Sequence, residues 1–220
     1  MEAPSPLRAV RSWEEVLPDR SRDADLLEAM LLTVGERGYA KTTVREVAER
    51  ARISHDRFHR RFGSKPACFA RAYEEAVEHL AGEVLDACRG ATGWREGFRA
   101  GLAALLRTVA EQPLLAKALL IEVRAARGDA WLAHQRQVER LVAALDTARE
   151  EPGARSAASP MTAGFVVGAI EESLSIEIAA GRAAEAERLL DDLTRLAFLQ
   201  LFGEEKGAAA SSEDIGGGDD

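Results

Sequence analysis

Apolar residues return along this chain at intervals of three and four. Leu27, Met30, Leu31 and Val34 fall at i, i+3, i+4 and i+7, the stripe of a helix packed on one side. The stripe predicts a helix over about 22–37, with Gly38 as its stop. Val44, Val47, Ala48 and Ala51 repeat the spacing over a shorter stretch, and Thr43-Val44-Arg45-Glu46 fits a capping box at its start. Ser54 is placed to cap a third helix that ends near Phe62 and Gly63. Ser64 is placed to cap a long fourth helix to about residue 89, with Pro66 tolerated in its first turn. Beyond a break at 90–93, helices are expected over about 94–110 and 113–128. Three more are expected over about 129–150 (capped by Asp129), 160–180 (Pro160 at its first position after Ser159) and 183–202. No long stretch alternates with a period of two. The pattern predicts an all-α chain of three short helices followed by six longer ones.

Composition agrees with helix: Ala, Leu, Glu and Arg abound, and aromatics make up only 5%. At 220 residues and 46% hydrophobic, the chain can bury a real core. The net charge of −8 argues against nucleic acid when taken whole, but its distribution does not. Residues 41–65 hold eight Lys/Arg and three acids, while 204–220 hold six acids and one Lys. A short basic block on an acidic body suits a DNA-binding head. The expected organisation is a flexible arm at 1–20, a helix-turn-helix head at 21–66, a body at 67–203 and a disordered acidic tail at 204–220. Cys68 and Cys88 lie roughly 30 Å apart if one helix carries both, so no disulfide is expected. No apolar leader and no 18-residue apolar run is visible, and the location expected is cytoplasmic.

The second and third helices form a candidate helix-turn-helix, which would present the third to a DNA major groove. Phe58 and Phe62 share its inner face, while Asp56, Arg57, His59 and Arg60 point outward and His55 lies at its open end. Arg can reach a guanine edge bidentately, and His and Ser can donate to bases or phosphate. Thr43 and Lys65, at two helix starts, are placed for phosphates. A solvated charged face on an ordinary bundle would look the same by spacing alone.

The stretch from Gly38 through Thr42-Thr43-Val44-Arg45-Glu46-Val47-Ala48, then Ala51-Arg52-Ile53-Ser54, then Phe58-His59-Arg60-Arg61-Phe62-Gly63-Ser64-Lys65, resembles the DNA-binding head of the tetracycline-repressor (TetR) family. It departs from that pattern at Arg52 and Asp56, where Gly is usual, at His59, usually Tyr, and at Arg61, usually His or Tyr. A non-Gly residue with positive φ in the turn would cost roughly 1 kcal/mol. The resemblance implies a DNA-binding homodimer with a near-palindromic operator. It also implies a fourth helix linking head to body, and a four-helix interface built from the last two helices of each copy. The DNA-contacting residues expected are Thr43, Arg45, Ser54, His55, Arg57, His59, Arg60 and Lys65.

For the body, Trp94, Phe98, Leu102, Ile121, Trp131 and Phe165 are the expected lining of a pocket for a small, largely apolar effector. Glu122, His134 and Glu171 are its expected polar groups. Each has a plainer reading: aromatics at helical spacing as core, Glu171 and Glu172 as an interface rim, Glu122-Val123-Arg124 as an ion-paired face. The seam expected between copies is Ile170 and Leu174 against Leu190, Leu193, Ala197 and Leu201. No cofactor is expected, nor a metal site, with four His and two distant Cys. No catalytic arrangement is visible: there is no phosphate loop or nucleophile elbow, and Cys68 and His79 would stand roughly 16 Å apart on one helix. The reading favoured is a transcriptional repressor released by its effector. An activator, a DNA-binding protein without effector and, least of all, an enzyme are the alternatives.

Overall fold

The structure is a computed structural model that describes residues 21–155, 159 and 161–203. The expected arm at 1–20, the acidic tail at 204–220 and Pro160 lie outside the described residues. Helix α1 (Ser21–Arg37) buries the stripe of Leu27, Met30, Leu31 and Val34, and the chain turns at Gly38 with φ +84°. Helix α2 (Val44–Arg50) starts in the capping box its sequence announces: Thr43 accepts from the Glu46 N–H, and the Glu46 carboxylate accepts from the Thr43 N–H at 2.9 Å. Helix α3 (His55–Phe62) is capped by Ser54, and Ser64 caps the long α4 (Lys65–Arg89). The protein is all-α, and no described residue is in a strand.

The body follows as α5 (Trp94–Glu111), α6 (Pro113–Lys117), a π turn (Ala118–Glu122), α7 (Val123–Ala126), α8 (Gly128–Asp146), α9 (Thr162–Ala179) and α10 (Leu190–Phe202). Short 3-10 segments precede α10 (Ala183–Leu189) and follow α8 (Thr147–Glu150). The single helix expected over 113–128 is thus broken by a π turn, one residue wider than an α turn. Asp129 does not cap α8: it lies inside the first turn, where an acid still favours the helix dipole, and the cap position is Arg127.

Two apolar clusters organise the chain. The first joins the head to the body: Leu27, Met30, Val47 and Phe58 pack with Phe69 and Tyr73 of α4, Leu119 of the π turn and Ala133 of α8. The boundary expected at 66/67 therefore falls within the first turn of α4, inside a shared core. The second cluster joins α5, α9 and α10 through Leu106, Val166, Ile170, Leu174, Leu193 and Ala197.

That second cluster corrects the expected seam. Ile170, Leu174, Leu193, Ala197 and Leu201 are covered within the chain, and Leu190 packs partly against the same cluster. A periodic stripe shows that a face needs cover, not which chain supplies it. On and beside these two helices the apolar side chains left uncovered are others: Met161 beside α9, Phe165 and Ile176 on α9, Leu196 and Leu199 on α10; Leu85 of α4 and Leu132 and Leu141 of α8 are exposed as well.

Candidate nucleic-acid interface

The outward face of α3 is built by one inward anchor. Phe58 is fully buried, which stabilises the docked helix by about 1.5–3 kcal/mol. With Phe58 fixed inward, His55, Arg57, His59 and Arg60 are exposed. Arg57 and Arg60 make no ion pair with another described residue, and they flank a surface groove of about 400 Å³ shared with Asp23, Leu26, Ile53 and Arg61. Arg61 is committed elsewhere: its Nε donates to Asp23 Oδ2 at 2.7 Å, tying α3 to α1. Two cations of α3 thus stay available to a partner while a third holds the head together.

The turn before α3 keeps its left-handed residue. Arg52 has φ +54° where glycine would carry no penalty, and the Ile53 N–H still reaches the Ala48 carbonyl at 2.9 Å. Ser54 Oγ accepts from the Arg57 N–H at 3.2 Å, so its hydroxyl serves the cap first. His59 Nδ1 lies 2.9 Å from the Gly63 carbonyl oxygen, and its Nε2 lies 3.3 Å from His55 Nε2.

Three more of the expected DNA contacts are engaged within the head. Thr43 donates its hydroxyl to Glu46 at 2.9 Å, and Arg45 pairs with Glu49 at 2.7 Å on the exposed face of α2. Lys65 departs furthest from expectation. Its Nζ donates to the carbonyls of Tyr39 at 2.9 Å and Thr42 at 3.0 Å and lies 4.3 Å from the Tyr39 ring centroid. Desolvation there lowers its pKa. Two of its three N–H groups brace the turn between α1 and α2 before any phosphate arrives.

The expected pocket residues separate into distinct places. Trp94 stacks on Phe98 at 5.4 Å, and Phe198 and Phe202 of α10 close around the pair. Leu102 and Ile121 belong to the same side of the body. Trp131 stacks instead on His134 at 4.9 Å, beside α4. Phe165 is 65% exposed and has no ring contact with either group. Glu122 reaches instead to the turn after α1: its Oε2 accepts from the Tyr39 N–H at 2.8 Å. Nothing in Ala118-Leu119-Leu120-Ile121 announces the π turn that carries it there.

What remains together is a polar group under α8. His134 is buried, its Nδ1 lies 3.0 Å from the Tyr73 hydroxyl, and its Nε2 lies 3.9 Å from Glu171. Desolvation, and then the Arg124 charge, lower the His134 pKa; desolvation raises that of Glu171 against the pull of Arg124. Burial likewise pushes the Tyr73 phenol up. Arg124 itself pairs with Glu172 at 3.6 Å. The sequence does not single out Tyr73, because nothing along α8 shows what α4 brings to it.

Residues 26–72, from inside α1 into α4, match the family described as bacterial regulatory proteins, tetR family. Over this stretch the chain is similar to the tetR family. Its members are DNA-binding transcription regulators rather than enzymes. The fold extends the likeness over the body. The fatty acid degradation regulator FadR of Bacillus halodurans superposes with a TM-score of 0.72 at 14% identity, over 80% of this chain and 94% of that one. A TetR-like regulator from Rhodococcus sp. RHA1 gives 0.60 at 23% identity, over 81% and 94%. FadR of Bacillus subtilis, solved in complex with stearoyl-CoA, gives 0.67 at 12% identity, over 82% and 98%. No curated protein matches the chain in sequence. Among the described residues, no helix is long and apolar enough to cross a membrane.

Proposed function

We propose that this regulator is a cytoplasmic repressor: two copies pair, place their α3 helices in successive major grooves of a near-palindromic operator, and let go when a small effector binds the body. The observation that carries the DNA half is the exposed face of α3, where Arg57 and Arg60 are free of ion pairs among the described residues while Phe58 locks the helix behind them. Lengthwise spacing of the two readers follows from two-fold symmetry. Pairing is supported by the uncovered apolar side chains of α9 and α10, Phe165, Ile176, Leu196 and Leu199. The test is a gel shift on DNA selected from a random pool. A dimer making about eight phosphate contacts gives a log–log salt slope of roughly −7. A flat salt dependence refutes the basic-head assignment.

The effector half rests on the body. Tyr73, His134 and Glu171 offer a few polar atoms beside the Trp131 ring, the composition that orients a mostly apolar ligand. FadR of Bacillus subtilis, a neighbour in fold, was solved with stearoyl-CoA, which makes fatty acyl thioesters the first ligands to try. An effector must lower operator affinity, and DNA must lower effector affinity by the same factor. Trp131 fluorescence reads the first binding event directly. The closed ring packing of Trp94, Phe98, Phe198 and Phe202 favours a second reading, DNA binding without an effector. Acyl thioesters, fatty acids and other apolar acids that change neither fluorescence nor operator affinity would select it.

A further inference from the structure

We propose that His55 and His59 form a chelating site for one divalent transition-metal ion, of the Cu(II), Ni(II) or Zn(II) class, on the exposed face of α3. Residues four apart on a helix stand one turn above each other, and the two imidazoles do so here with ring centroids 4.4 Å apart. Their Nε2 atoms are 3.3 Å apart. An ion bound by two nitrogens at about 2.0–2.1 Å holds them about 3.3–3.4 Å apart when tetrahedral and about 2.9 Å apart when square or octahedral. The backbone and both rings therefore already stand at chelating separation.

The hydrogen bonding around the pair selects the right atoms. A carbonyl oxygen can only accept, so the 2.9 Å contact from His59 to the Gly63 oxygen places the His59 proton on Nδ1. Its Nε2 lone pair is left facing His55. An imidazole oriented by Nδ1–H to a backbone carbonyl, with Nε2 free, is the usual arrangement of a metal-bound histidine. His55 Nε2–H satisfies that lone pair in the metal-free chain. On binding, its proton moves to Nδ1 through solvent and the ion takes both Nε2 atoms.

Both rings are exposed, so entry needs no opening of the fold. Arg57 and Arg60 on the same helix oppose a cation, and Asp56 offsets part of that; all three are exposed and screened by salt. No group of three or more His, Cys, Asp or Glu gathers among the described residues, so the ion keeps open positions for water and exchanges readily. The other two histidines offer no such pair: His134 is buried against Tyr73, and His79 faces Glu83 at 3.5 Å. On the DNA-binding reading proposed above, an ion here would occupy the two Nε2 atoms on the face that α3 turns to DNA, so metal and DNA contacts from these histidines exclude each other. The site itself rests on geometry alone and is measured without DNA, so its failure leaves the DNA-binding reading untouched.

The experiment is calorimetric titration of the untagged full chain with nickel, zinc and copper(II) chlorides. One ion per chain is expected. His55→Gln and His59→Gln should each weaken binding by about tenfold or more, because the second ligand acts at high effective concentration once the first is bound. His79→Gln should change nothing, and far-UV circular dichroism confirms that each variant is folded. No saturable binding, or binding that survives both His55→Gln and His59→Gln, overturns the proposal.

Discussion

The backbone N–H of Tyr39 donates to Glu122 Oε2 at 2.8 Å, joining the turn after α1 to the π turn of the body across 83 positions of sequence. Lys65 holds the Tyr39 carbonyl on the other side of the same residue. Tyr39 is therefore clamped between body and α4, and the start of α2 hangs from it. Glu122→Ala leaves a part-buried N–H without its partner, and the expected loss is about 1–3 kcal/mol. Glu122→Gln keeps an acceptor and should recover most of it. Urea unfolding gives the magnitude. Amide exchange at Tyr39 should quicken in Glu122→Ala only; equal exchange in both variants would detach this contact from the stability of the turn.

Arg57 and Arg60 should separate from Lys65 in mutational effect. Arg57→Ala or Arg60→Ala should cost about 1–3 kcal/mol of specific binding and relax the preference at one base pair, with thermal stability unchanged. Lys65→Met should lower the melting temperature in the absence of DNA, since the Tyr39 and Thr42 carbonyls lose their donor. If Lys65→Met melts like the parent and only DNA affinity drops, the lysine is a phosphate contact after all.

Phe165 and Leu193 provide opposite tests of the pairing surface. Phe165→Glu places a charge on an already exposed position and should give a folded monomer in sedimentation. Leu193→Arg forces a charge into the cluster around Leu174 and Ala197 and should unfold the chain rather than dissociate it. A folded monomer from Leu193→Arg would return the seam to the other face of α10.

The buried His134 predicts a pH signature. Its folded pKa is lowered below the ordinary 6.5, so the unfolded chain takes up the proton first as pH falls. Stability is then present above the ordinary imidazole value and declines as pH drops through it. Glu171 works against this: its folded pKa is raised, so its neutral form favours the folded state more as pH falls toward the ordinary carboxylate range. His134→Gln should flatten the decline between about pH 7 and 5, and Glu171→Gln should steepen it. Denaturation midpoints across that range decide; parallel curves for parent and His134→Gln would assign the decline to other groups.

Arg52 sits at φ +54° in the turn that sets the angle of α3. Arg52→Gly removes the clash of Cβ with the backbone, and a gain of about 1 kcal/mol is expected, less whatever entropy glycine adds to the unfolded chain. Calorimetric melting checks it, and a lower midpoint would mean that the Arg52 side chain contributes more than its backbone costs.

The head was legible because its signals are local. The capping box at Thr43 and Glu46, the Ser54 and Ser64 caps and the inward Phe58 each depend on residues within a turn of one another. The left-handed turn at Arg52 follows only from the family resemblance, which has Gly at that position; the arginine itself does not signal it. The body was legible as helices but not as a site. Trp94 and Trp131 share helical spacing and composition, yet α5 and α8 carry them to different clusters. The seam failed for the same reason: Leu193 and Phe165 are equally apolar in sequence, and only packing decides which faces inward. Gly35 shows the limit best. Its Cβ would meet the Leu114 carbonyl oxygen at 2.2 Å, a helix-to-helix approach that no pattern around residue 35 reveals.

The shared core of head and body has a practical meaning for anyone wishing to recombine this regulator with its relatives. A cut at Pro66 would strip Met30, Val47 and Phe58 of Phe69, Ala72 and Tyr73, the side chains that cover them from α4. The head is not a cassette. A working chimera has to carry α4 at least through Ala76 together with α1–α3, and the recipient body has to offer surfaces that fit where Leu119 and Ala133 now sit.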